Sequence, residues 1–175
     1  SSLRLPGVQE QLIKTILATG KPVVVMINAG RPLVFNWVAD NVPAIMYTWW
    51  LGSEAGNAIA DVLFGDYNPS GKITMSFPRT EGQEPIYYNY LNTGRPAPDD
   101  STVNYVSAYI DLRNSPRFPF GYGLSYTNFT YSDIVLDKQT LKPGEKLQAT
   151  VTVMNSGNFD GEETVQLYIR DMVAS

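Results

Sequence analysis

Pro22 opens an unbroken apolar run, Val23-Val24-Val25-Met26-Ile27, and this run limits the fold more than any other feature of the chain. A strand with one wet face alternates apolar and polar residues. A run without alternation fits a strand covered on both faces, as in a parallel sheet. The flanking residues agree. Pro6 followed by Val8, Leu12, Ile13, Ile16 and Leu17 predicts an amphipathic helix with proline in its first turn and Gly20 at its end. Asn28-Ala29-Gly30-Arg31-Pro32 is a loop at the strand's carboxyl end, a short helix spans about Phe35 to Asp40, and Ala44 to Trp49 reads as a second strand. A helix from Glu54 to Phe64 and a strand near Ile73 to Phe77 complete the alternation. The expected class is α/β, a mostly parallel sheet sandwiched by helices.

The stretch from Gly52 to Lys72 is the densest in local signals. Ser53 can cap the orphan N–H groups of a helix whose apolar stripe is Ala55, Ile59, Val62 and Leu63. Gly65 sits where a helix ends in a left-handed residue, and Asn68-Pro69-Ser70-Gly71 is turn chemistry. From Pro78 to about Pro119 regular patterning stops, and a loop of such length is usually functional or a domain connector. Asn104 to Ile110 reads equally as a short strand or a short helix.

After Tyr126 the period becomes two. Leu147, Ala149, Val151 and Val153 alternate with Gln148, Thr150, Thr152 and Met154, and Val165, Leu167 and Ile169 repeat the pattern. These are sandwich strands, but only about three of the roughly seven that such a domain needs. The chain also opens at Ser1 without an initiating Met, so the expectation is a piece of a longer or processed polypeptide.

Composition removes several kinds of chemistry. Cysteine and histidine are both absent, which excludes disulfides, thiolate metal sites and Ser-His-Asp or Cys-His catalysis. The net charge of −4 without a basic cluster argues against nucleic acid. No stretch approaches the roughly 18 consecutive apolar residues of a membrane span. Aromatic residues make up 12% of the chain, and the larger share of them is expected in packing rather than in stacking on sugars.

The run GSEAGNAIADVLFGDYNPSGKITMSFP (residues 52–78) resembles the second domain of glycoside hydrolase family 3, the β-glucosidase-like enzymes. Leu5 to Ile13, Lys21 to Pro32, Tyr90 to Pro96 and Pro119 to Thr127 resemble further segments of that domain. Val153 to Ile169 is similar to the fibronectin-type-III-like domain that follows in many members. The resemblance implies an α/β-sandwich segment over 1–118, with the irregular loop at 78–118. A connector at 119–130 and an incomplete, all-β fibronectin-type-III-like sandwich at 131–175 follow. It also implies a retaining exo-acting β-glycosidase without cofactor or metal, periplasmic or secreted, acting on a glucoside or β-linked oligosaccharide and partnered by an N-terminal barrel.

Retaining glycosidases use two carboxylates about 5–5.5 Å apart. In the family resembled here, the nucleophile Asp lies on the preceding barrel and the acid/base Glu on a loop upstream of Leu5 to Ile13. The resemblance therefore implies no catalytic residue on this chain. Glu54 reads as a carboxylate favoured by the positive end of a helix dipole, Asp61 as a buried partner, and Asp66 and Asn68 as turn residues. Arg31, on the loop at a strand's carboxyl end, and Tyr90, Asn92 and Arg95, in the irregular segment, are the candidate sugar-binding residues. Turn formation explains the first loop equally well, and Arg95 also suits an anchor to a neighbouring domain. The competing reading is a non-catalytic carbohydrate-binding or structural module. A flavodoxin-like nucleotide site is disfavoured, because Gly30 alone does not make a glycine-rich phosphate loop.

Overall fold

The computed structural model describes residues 2–91, 94–100 and 104–171. These fall into two compact units. One takes the described residues of Ser1–Ala55, Lys72–Tyr122 and Gln166–Ser175; the other is Gly56–Gly71 with Gly123–Val165.

In the first unit the elements run α1 (Gln9–Leu17), β1 (Val24–Ile27), α2 (Asn36–Asn41) and β2 (Ala44–Tyr47). Strands β1 and β2 pair in parallel, Val24 opposite Ala44 through Ile27 opposite Tyr47. The Thr48 N–H continues the pairing to the Ile27 carbonyl at 2.9 Å. Val25 and Ile27 point into a core with Leu33, Phe35, Val38, Val42 and Phe77. Val24 and Met26, on the other face of β1, are 52% and 47% exposed. So the apolar run is a strand, as its composition requires, but the described residues cover only one of its faces. Leu12 and Ile16 of α1 are likewise exposed, on the same open concavity as Val24 and Met26.

Aromatic rings carry the centre of this core. Phe77, 2% exposed, meets Tyr47 edge-on at 4.8 Å, Trp49 at 5.7 Å and Phe35 and Phe118 at 6.2 Å. Edge-to-face geometry sets the positive ring edge against the negative face. The segment Ile73 to Phe77, expected as a strand of the parallel sheet, instead turns to the Phe118–Tyr122 segment. Ile73 N–H donates to Tyr122 O at 2.9 Å, Gly121 N–H to Ile73 O at 2.7 Å and Phe77 N–H to Phe118 O at 2.8 Å. A turn closed by Tyr122 N–H on Pro119 O, with Gly121 at φ +81°, limits this pairing to an isolated antiparallel bridge at Phe77 and Phe118.

The irregular segment after Phe77 is held by polar groups. A 3₁₀ turn at Glu81–Gln83 buries Gln83 to 1% exposure. Its Oε1 accepts from Arg79 N–H at 2.6 Å, and its Nε2 donates to the Arg113 carbonyl at 3.0 Å. Asp100 accepts the Ser115 N–H at 2.6 Å and its hydroxyl at 2.5 Å, and Arg117 pairs with Asp40 at 2.5 Å. Asn104 to Ile110 is neither helix nor strand, contributing only a bridge of Ser107 to Pro96.

In the second unit, α3 (Ala55–Phe64, all but its first residue) ends as its sequence requires. Gly65 takes φ +86° and its N–H reaches Asp61 O at 3.1 Å, while Tyr67 N–H reaches the same carbonyl at 3.0 Å. The remainder is two antiparallel pairs, β3 (Phe129–Tyr131) with β6 (Val153–Asn155) and β4 (Val135–Leu136) with β5 (Ala149–Thr150). Val165 at the end of this unit, and Gln166 to Ile169 of the first unit, expected to continue the strand pattern, are irregular. Asn68, expected as a turn residue, makes side-chain bonds distant in sequence. Its Nδ2 donates to Asp160 O at 2.9 Å, and its Oδ1 accepts from Ser125 Oγ at 2.9 Å and Tyr126 N at 2.8 Å. Tyr126 O–H donates to Val62 O at 2.7 Å, so the end of α3 and its following loop are fastened to the segments before β3 and after β6.

Candidate functional site

The candidate site lies at the carboxyl ends of β1 and β2, where open α/β sheets bind ligands. The loop 28–32 leaves β1 there, and the end of β2 clamps it. Tyr47 O–H donates to Arg31 O at 2.5 Å, and Thr48 Oγ1 donates to Ile27 O at 3.2 Å. Burial pushes the Tyr47 phenol up to about 12, outweighing the Leu33 backbone hydrogen bond and the Arg31 charge, which pull it down. The phenol is therefore neutral across the physiological range and stays a donor.

Past Tyr47 the backbone makes a costly turn. Trp49 takes φ +53°, a left-handed conformation that costs a bulky residue about 1–3 kcal/mol. Trp49 packs on Tyr47 at 4.9 Å and on Phe77, whereas Trp50 is 79% exposed. The pyrrole edge of Trp50 lies against Gly30. A Cβ at residue 30 would stand 1.7 Å from Trp50 Nε1, so only glycine leaves room for the ring where it is. Gly30 is thus required by space rather than by its φ angle.

The four residues singled out from sequence lie on two segments. Arg31 is exposed on the clamped loop, and its Nη2 donates to Ser2 O at 3.1 Å. Tyr90 is 69% exposed, and Arg95 is exposed with its carbonyl accepting Ser107 N–H at 2.7 Å. Asn92 lies outside the described residues. Sequence reasoning missed Tyr47 and Trp50, although an aromatic strand end followed by two tryptophans, with one glycine in the neighbouring loop, was the available signal.

Glu54, Asp66 and Asp61 are exposed, the last against the expectation of a buried partner. A carboxyl that acts as an acid near neutrality needs its pKa raised. Here hydrogen bonds from the Ser115 hydroxyl and N–H hold Asp100 below its ordinary value, and those from Ser2 and Leu3 do the same for Glu81. Among the described residues there is no group of three His, Cys, Asp or Glu able to hold a metal, and no helix long and apolar enough to cross a membrane.

Residues 1–126 match the family described as "Glycosyl hydrolase family 3 C-terminal domain". The chain belongs to this family. Among family relatives, a periplasmic β-glucosidase of Salmonella typhimurium is 49% identical over 100% of this chain and 23% of its own length. A β-xylosidase of Formosa agariphila is 42% identical over 100% of the chain and 23% of its own. A solved β-glucosidase from Listeria innocua, in complex with isofagomine, superposes with a TM-score of 0.84 and 46% identity, covering 91% of this chain and 22% of that one. The family 3 chain described here therefore spans under a quarter of the length of these relatives.

Proposed function

We propose that this chain is the sandwich segment, with the start of a fibronectin-type-III-like sandwich, of a retaining exo-acting β-glycosidase that removes terminal β-D-glucosyl residues. The observation that carries the reading is 49% identity to a periplasmic β-glucosidase over the whole chain. The domains run 1–118, with a connector at 119–130 and the all-β part at 131–175. Catalysis proceeds by double displacement through a glycosyl-enzyme, one carboxylate attacking the anomeric carbon and the other protonating the leaving oxygen. Both carboxylates lie outside this chain, on the partner barrel and on an upstream loop. The chain supplies one wall of the sugar pocket and a docking surface for the barrel. Arg31, Tyr90, Asn92 and Arg95 contribute planar and bidentate groups suited to sugar hydroxyls. The likeness to a periplasmic relative supports a periplasmic or secreted location.

A β-xyloside is the second reading, favoured by the 42% identity to a β-xylosidase. Both are tested by a chimera in which this chain replaces the matching region of the Salmonella relative. The chimera is expected to release p-nitrophenol from p-nitrophenyl β-D-glucoside faster than from the β-D-xyloside, while the chain alone releases none. Turnover by the chain alone, or a correctly folded but inactive chimera, defeats the proposal. A preference for the xyloside replaces the first substrate by the second.

A further inference from the structure

We propose that Trp50 is a stacking platform for a pyranose ring of the β-linked substrate, with Gly30 as the floor that seats it. The sugar class rests on the β-glycosidase reading above; the platform rests on local geometry. Trp49 and Trp50 are adjacent, yet their environments are opposite. The left-handed turn at Trp49 keeps that ring packed against Tyr47 and Phe77, and its neighbour is left 79% exposed. Its pyrrole edge nevertheless lies against residue 30, in the space that a side chain there would fill. That place is the strand-end loop, which Tyr47 and Thr48 clamp by hydrogen bonds to Arg31 O and Ile27 O. A flat, exposed ring beside a tethered loop, with Asn28 and Arg31 lining the same concavity, offers what a pyranose needs. The sugar presents an apolar C–H face to the ring and a rim of hydroxyls to amide and guanidinium groups. The aliphatic remainder of the concavity, Leu12, Ile16, Val24 and Met26, offers no such groups and is no part of the proposal.

The test is titration of the full chain with cellobiose, followed at the tryptophan indole N–H signals by NMR. The Trp50 signal is assigned by its loss in Trp50→Phe. Trp50 is expected to shift and saturate in the millimolar range, with Trp37 unmoved. Trp50→Ala is expected to weaken binding about tenfold, read at the amides of residues 28–31, and Trp50→Phe about threefold or less. A dispersed spectrum in which Trp50 is unmoved at about 100 mM cellobiose overturns the proposal, as does Trp50→Ala binding like the parent chain. The chimera separates this from the enzyme reading. An active chimera whose KM for cellobiose ignores Trp50→Ala sinks the platform alone. An inactive chimera with a sugar-responsive Trp50 sinks the glycosidase and leaves a sugar-binding surface.

Discussion

Loop 28–32 and the irregular segment 78–118 both carry candidate sugar ligands, and they are held in place by different means. The first is short and clamped from outside by the end of β2 and the residues after it: a phenol on the Arg31 carbonyl, a threonine on the Ile27 carbonyl at the loop's root, an indole edge against its glycine. The second is long and fastened from within, around a buried amide. Gln83 binds the backbone of Arg79 and of Arg113, 30 residues further along the chain. At loop 28–32 the residues that position Arg31 are not themselves candidates. A ligand-facing arginine on a loop is only as well placed as the buried group that fixes its backbone.

Breaking the internal fastening is expected to have the largest effect. Gln83→Leu keeps the volume but leaves the Arg79 N–H and the Arg113 carbonyl without their partner. Both groups are only part-buried, and an orphaned group costs about 1–3 kcal/mol when buried, so a loss of about 2 kcal/mol is expected by urea denaturation. A loss under about 1 kcal/mol would mean that water replaces the amide and the segment is not built around it.

The external clamp is weaker. Tyr47→Phe removes one hydrogen bond to Arg31 O and is expected to cost about 1 kcal/mol at neutral pH. It also has a pH signature. The Tyr47 phenol sits near 10.0 when unfolded and is pushed up to about 12 when folded, so the fold favours the protonated form. Its contribution is full below about 10 and is lost as pH rises from there through about 12. Tyr47→Phe should flatten that alkaline limb, and an unchanged limb would assign it to another group. Gly30→Ala is smaller still. The backbone angle at residue 30 suits alanine, and the displaced ring is the exposed end of a side chain, so stability should move by about 0.5 kcal/mol while Trp50 fluorescence shifts to that of a free indole.

Periodicity made most of the first unit legible. The four elements from α1 to β2, and in the second unit the left-handed end of α3, follow from local apolar spacing, proline and glycine. What escaped was long-range. Ile73 to Phe77 has strand composition, but its partner is the Phe118–Tyr122 segment, 41 to 49 residues away, and no local pattern names a partner. Its sequence context marks Asn68 only as a turn residue, whereas its bonds to Ser125, Tyr126 and Asp160 cross 57 to 92 residues. Trp50 escaped because aromatic residues are packed more often than not, and only the crowding at Gly30 shows that this one is seated rather than buried.

The finest discrimination between the two regions comes at acid pH. Asp100 lies in the irregular segment, and the hydroxyl and N–H of Ser115 favour its ionised form, so its folded pKa is below the ordinary 3.8. Its contribution is therefore present above that value and is lost as pH falls through the lower, folded one. Loop 28–32 contains no carboxylate, and its clamp is a phenol that stays protonated throughout this range. Acidification should release amide protection around residues 113–117 before it touches residues 28–32, as read by hydrogen exchange. Asp100→Asn should remove that early step and change little else, because an amide oxygen still accepts one Ser115 bond. Simultaneous release of both regions would show that they open as one cooperative unit, and that the two modes of fastening are not energetically separate.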